Sequence, residues 1–358
     1  TLWYFGSLIF SVSMLIGKKL FNYPKLSFNQ FIGIDLSRLK VSFYIFLTIS
    51  IIFSSIALLK VGYVPILKGN IDVIRFSYIN VIGDNIIKFS RLWLVVAIIS
   101  THLFFLEKRR LFYIFVIICA GLNLVIFGQR IYLLIPIVYF FLISTKFGLR
   151  VSFKKIIVFF VLIVSLYYSI SVVRSFERIE FRKLAFIERI VYRTFGEWRE
   201  YSYSVNKFCQ RPNSFLGGSV FYGVMAAVIP KEVFRIYGFD KNSFLPYNAA
   251  NFFGRYFDHY AGVRIGVVGE SYVAFGSFGV IGLMILLGLF FSYLEQKFIS
   301  LDWNDARISI VAFILSLSVF LPLLTFINFT TIITFFGFFI CLVSFFCRST
   351  RFSGKFKL

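Results

Sequence analysis

RLWLVVAIISTHLFFLEKRRLFYIFVIICAGLNLVIFGQRIYLLIPIVYFFLISTK, residues 91 to 146, decides the fold: three apolar runs are separated only by EKRR at 107–110 and GQR at 128–130. The runs, 91–106, 111–129 and 131–146, lie near the lower limit of about 17 residues that cross roughly 30 Å of hydrocarbon as a helix. In lipid every backbone N–H and C=O needs an internal partner, so such runs are helices or strands of a closed barrel. A barrel would show alternating segments of about ten residues, and none is present.

Further apolar runs read outward from this stretch as spans at 1–17, 40–59, 155–173, 270–294, 306–328 and 329–347, nine in all, with a bend near Asn328 between the last two. The chain of 358 residues is 59% hydrophobic, more than a soluble core requires. The expected fold is all-α and polytopic, an integral membrane bundle with a large external loop carrying amphipathic and re-entrant helices. We divide it into N-terminal transmembrane helices (1–173, six visible), the external loop (174–269), and C-terminal helices with a basic cytoplasmic tail (270–358). Thr1 falls inside an apolar run without a preceding Met, so we expect a further helix upstream or a trimmed first span.

The first run lacks the charged start and cleavage site of a signal peptide. Cys119, Cys341 and Cys347 sit in or at the ends of spans and only Cys209 lies in a large loop, which leaves no disulfide framework and no paired metal motif.

Lys and Arg in the short connections orient the chain. Positive residues gather in 18–40, in 107–110, in 146–155 and in the tail RSTRFSGKFKL, and these alternate in step with nine spans, so all are cytoplasmic, as is the weaker 295–307 connector. The segments 60–90, 128–130, 174–269 and the bend near Asn328 are then external. From 174 to 264 the external segment nonetheless holds ten Arg and four Lys against eight Asp or Glu, whereas the cytoplasmic connections favour Lys over Arg. Arginine's planar fork grips phosphate through two parallel hydrogen bonds, which lysine cannot do. The external face thus reads as built for phosphate; phospholipid headgroups and neighbouring glutamates are the competing partners for each arginine.

Within that segment Arg174, Arg178, Arg182, Arg189 and Arg193 fall within roughly 100° of a helical wheel, beside an apolar arc of Phe176, Ile179, Phe186, Ile187 and Ile190, as a helix lying in the headgroup plane requires. SFLGGSVFYGVMAAVIP at 214–230, flanked by Pro212 and Pro230, is too short to span comfortably and would invert the charge alternation, so we read it as re-entrant or interfacial. The polar, aromatic stretch YGFDKNSFLPYNAANFFGRYFDHYAGVR suits sugars, which take flat rings for stacking and Asn or Asp for hydroxyl hydrogen bonds. Arg130, confined to a three-residue turn, is held at headgroup depth, either as a site residue or as a snorkelling anchor.

A Gly-x-Arg turn after a span (GQR, 128–130), an arginine-rich external loop, and Arg264, Gly269, Glu270, Tyr272, Phe275, Gly276 and Gly279 leading into a glycine-rich helix together resemble the bacterial oligosaccharide repeat-unit polymerases, the O-antigen and capsule polymerases of Wzy type. In plan these are similar to the O-antigen ligases. The resemblance covers most of the chain in topology and few positions in identity. It implies a metal-independent glycosyltransferase of the lipid-linked kind (GT-C-like) in the bacterial plasma membrane, with its site on the external face and a chain-length regulator as a partner. Arg255 and Gly266 match the Arg-x10-Gly spacing of some members. Where the ligases carry a histidine before the glycine-rich helix, this chain has Glu270, with His259 further upstream.

For transfer of a sugar chain from polyprenyl pyrophosphate to the hydroxyl of a second lipid-linked repeat, the site must aim cations at the departing diphosphate and a base at the hydroxyl. Arg130 and Arg264, with Arg255 or Arg199, are the candidate clamp. Glu270 is the first candidate base and His259 the second. Pairing with Arg264, or capping of its helix's first turn, is the structural alternative for Glu270. Tyr272 and Asp258 are candidate sugar contacts. The external acids show no D-x-D or E-x-D spacing, so no metal is expected, and no nucleotide motif or cofactor site is present. Despite a formal charge of +22, nucleic acid is not an expected partner, because the basic residues divide between two sides of a membrane. Two rivals stand: a ligase that transfers finished glycan once, and a transporter or flippase of lipid-linked glycans, which would typically show repeated halves and charges along several helices.

Overall fold

The computed structural model describes residues 2–21, 34–64, 86, 89–126, 130–148, 161, 165, 215, 217–219, 229, 231–239, 266–303, 305–319 and 326–347. The regular secondary structure among those residues is helical, with no strand. In chain order the helices are α1 (Leu2–Leu20), α2 (Leu36–Val61), α3 (Trp93–Leu106), α4 (Arg110–Ile126), α5 (Arg130–Lys146), α6 (Lys231–Ile236), α7 (Gly266–Ser300), α8 (Arg307–Ser318) and α9 (Phe326–Phe346). The predicted span at 155–173 apart from residues 161 and 165, the arginine stripe at 174–193 and most of 214–230 lie outside the described residues.

The apolar runs expected as helices in 1–17, 40–59, 91–146, 270–294 and 306–347 form helices, with one displaced boundary. The bend expected near Asn328 is not there: α8 ends at Ser318, and Asn328 is the third residue of α9. Pro322, in the interval between the two, is the stronger helix breaker, since it lacks an N–H and clashes with the preceding turn. Among the described residues two helices, α2 and α7, are long and apolar enough to cross a membrane.

The contacts group the chain into two units, one comprising residues 1–26, 195–300 and 317–337, the other 27–194, 301–316 and 338–358. In the first, α1 and α7 pack side by side and parallel: Gly6 lies against Val268 and Val280, Ser13 against Gly288, and Gly17 against Ser292. A Cβ at Gly288 would stand 2.6 Å from Ser13 Cβ and 2.8 Å from the Phe10 carbonyl oxygen, and one at Gly17 would stand 2.6 Å from Ser292 Cβ. Each helix therefore offers a small residue every fourth position, Ser13 and Gly17 on one and Gly288 and Ser292 on the other, so that the backbones meet directly. Phe10 meets Phe291 edge-on at 6.2 Å, and Lys18 pairs with Glu295 at 2.9 Å towards the end of α1.

The second unit is built around α3, in which every residue from Trp93 to Leu103 is buried. A helix apolar on all sides is covered on all sides. The α2 helix runs antiparallel to it, with Trp93 Nε1 donating to Ser54 Oγ at 2.8 Å near one end and Lys40 paired with Glu107 at the other. The α5 helix runs parallel to α3, shown by Arg91 over the Tyr132 ring at 5.7 Å and Phe105 stacked on Phe147 at 4.4 Å. The end of α9 lies antiparallel against α2, where Asp35 N–H donates to the Cys347 carbonyl at 2.8 Å and Phe46 meets Phe339.

Asp35 fixes the start of α2. Its Oδ1 accepts from Ser37 N–H at 3.0 Å, Arg38 N–H at 3.3 Å and the Ser37 hydroxyl at 2.6 Å, and Gly62 closes the other end at φ 74°. The Ser37 hydroxyl above all, then the Arg38 N–H, holds the Asp35 carboxyl below the usual carboxylate range. A group whose pKa is depressed by folding stabilises fully above its unfolded value and stops doing so as pH falls through the folded one. Asp35→Ala is accordingly expected to lose less helical circular dichroism on acidification than the parent, because the titrating cap is gone.

Candidate functional site

Helix α7 is two helices joined at a kink. Phe275 (φ −138°, ψ 17°) and Gly276 (φ 63°, ψ −151°) leave helical geometry, which separates a short arm, residues 266–274, from the long segment beyond. Glycine alone takes the Gly276 conformation without strain. A Cβ there would also come 3.2 Å from Phe215 Cζ, and one at Gly279 would press on the Ser271 carbonyl oxygen. The Phe275-Gly276-x-x-Gly279 pattern thus has a backbone reason: the bend needs Gly276, and the close return of the chain behind it needs Gly279.

Glu270 lies on this arm and is only 3% exposed. The helix begins at Gly266, so Glu270 stands just beyond the first turn, which contains no acid; the capping alternative is thereby corrected. Ser271, also buried, turns its hydroxyl back to the Val267 carbonyl at 2.6 Å. Tyr272 is half-buried and meets Phe215 edge-on at 6.1 Å. Phe215 comes from the long segment preceding α7 and is followed by a 3-10 turn, Gly217–Ser219, that also packs against α7. The structure therefore brings Glu270 and Tyr272 onto one arm, with Phe215 over its kink. The arm is held from α1 as well, through Gly6 against Val268.

Arg130 is corrected from a turn residue to the first residue of α5; its side chain lies outside the described residues, as do Arg199, Arg255, Asp258, His259 and Arg264 wholly.

A buried polar cluster escaped the sequence reading. His102 on α3, 2% exposed, has Nε2 at 2.5 Å from the Tyr139 hydroxyl of α5 and 2.9 Å from Ser309 Oγ of α8. Its Nδ1 is buried without a hydrogen-bond partner among the described residues. The cluster joins three helices through one ring. The only sequence signal for it is a histidine inside an apolar run.

Comparison with known families, with curated proteins and with solved structures returns no match.

Proposed function

We propose that the chain is a polytopic helical membrane protein of the bacterial plasma membrane and a metal-independent glycosyltransferase that joins lipid-linked oligosaccharide repeat units on the outer face. The observation that carries the chemistry is Glu270: a carboxyl group 3% exposed, on a short arm set off by a glycine kink from a long apolar helix. An ionisable group kept at such a place is expensive, and function is the usual reason for it. In this reading Glu270 takes the proton of the acceptor hydroxyl. Arg130 and Arg264, assisted by Arg255 or Arg199, stabilise the charge growing on the departing diphosphate. Tyr272, Asp258 and the aromatic loop hold sugar, and His259 is the second candidate for the base.

The membrane reading draws support from surfaces. The most apolar windows of α2 and α7 are only 28% and 39% buried, unlike core helices of a soluble protein. The small-residue contact of α1 with α7 and the proline within α5, Pro136, are both common in bilayer helices. Helix directions also fit nine crossings. Helices one and seven, and three and five, should be parallel, while two should oppose three and nine, and these are the directions observed.

The test is elongation by purified protein supplied with polyprenyl-pyrophosphate repeat units and neither nucleotide nor metal. A ladder of repeats is expected, and Arg130→Ala and Arg264→Ala should each slow it about a hundredfold to a thousandfold, with poor rescue by lysine. A single transfer would indicate a ligase. Movement of intact lipid-linked units across vesicles without elongation would indicate a transporter.

A further inference from the structure

The connection between α3 and α4 forms an open cleft of about 420 Å³ against the start of α2. Lys40, Glu107, Lys108 and Arg109 supply its charge, and Tyr44 and Phe112 its apolar wall. Glu107 is already engaged on both oxygens: Lys40 pairs with one, and the Tyr113 hydroxyl donates to the other at 2.6 Å. Lys108 and Arg109 are exposed and make no ion pair among the described residues. The cleft therefore keeps a local excess of two positive charges, to which the positive end of the 17-residue α4 adds.

An apolar lane runs away from these cations. Leu111, Phe115, Ile118 and Leu122 recur at helical spacing down one face of α4, and all are more than half exposed. Val41, Tyr44 and Ile45 give α2 a similar exposed flank beginning at the same cleft. Cations at the head of an uncovered apolar lane complement a molecule with an anionic head and a hydrocarbon tail. On the membrane reading the lane faces acyl chains, so the cations at its head stand at headgroup depth, where the phosphate presented to them is one carried by a lipid.

We propose that this cleft binds an anionic phospholipid, its phosphate between Lys108 and Arg109 and an acyl chain along the α4 lane. The lysine supplies a mobile point charge and the arginine a planar fork suited to two phosphate oxygens. Neutral lipid offers the same tail but no net charge to balance the excess. This inference rests on the membrane reading above and is independent of the transferase reading, so failure of elongation leaves it standing.

The experiment is native mass spectrometry of the full chain in detergent, titrated with phosphatidylglycerol, with phosphatidylcholine of identical chains, and with inorganic phosphate. Phosphatidylglycerol is expected to bind at least about tenfold more tightly than phosphatidylcholine. The double variant K108A/R109A should weaken it by roughly thirtyfold, from the usual attraction per basic residue at a lipid surface, while leaving phosphatidylcholine binding unchanged. The exchange K108R/R109K, which keeps the charge, should retain most of the preference and serves as the folding control. Equal binding of the two lipids, or full retention of phosphatidylglycerol by the alanine pair, overturns the proposal. Displacement of phosphatidylglycerol by millimolar phosphate also overturns it, since the cleft would then read the phosphate alone. Release of the protein from membranes by alkaline carbonate would instead sink the membrane reading beneath it.

Discussion

Glu270→Gln should reduce chain extension by a factor of about a hundred to ten thousand, the range over which a positioned acid–base group acts. Glutamine keeps the shape and an acceptor oxygen but cannot take a proton at working pH. A base and a purely structural carboxyl therefore separate cleanly. If Glu270 is the base, the turnover rate falls while affinity for the lipid-linked substrate and the thermal transition in detergent stay close to the parent. If it serves only to hold the arm, the thermal transition drops and the activity of the protein that remains folded is preserved. The buried position of the side chain makes the comparison sensitive, because either role leaves a full signature.

The second large effect is structural. Gly288→Leu should separate α1 from α7 and deplete folded protein, since the added atoms meet Ser13 Cβ, the Phe10 carbonyl and the Met14 N–H, of which two are backbone and cannot turn aside. Overpacking of a tight contact costs about 1–3 kcal/mol and more where the backbone must move. Gly282→Ala, on the same helix, meets nothing within 4 Å and provides the contrast. It should be tolerated or slightly stabilising, as alanine outranks glycine in a helix interior. Thermal denaturation in detergent, followed by the loss of monodisperse protein, measures both. Equal behaviour of the two variants would mean that the small-residue contact is dispensable.

The helices of 91–146 were legible because each apolar run is bounded by charge or by Gly-Gln-Arg, and the backbone has no alternative to helix when its side chains are so uniformly apolar. The break between α8 and α9 falls before Asn328, in the interval that holds Pro322, because a polar Asn near a helix start is not costly. The kink was partly visible, as glycines at 276 and 279, but a positive φ is a property of the backbone path and not of residue order. Glu270 could be found as a carboxylate at the mouth of an apolar run, six residues after Arg264. His102 could not be ranked, because its partners Tyr139 and Ser309 lie 37 and 207 positions away, and no local spacing announces a contact made only when three helices meet.

The parallel contact of α1 with α7 also bears on how the protein is made. Helix α1 leaves the ribosome long before Ser300 is added. At a synthesis rate of about 5–20 residues per second the delay is on the order of half a minute. Throughout that interval the face carrying Ser13 and Gly17 has no native partner to cover it. The same small residues that permit the final close fit are therefore left uncovered for that time, and a face of the kind through which bilayer helices associate must stay unpaired until its own partner has been made.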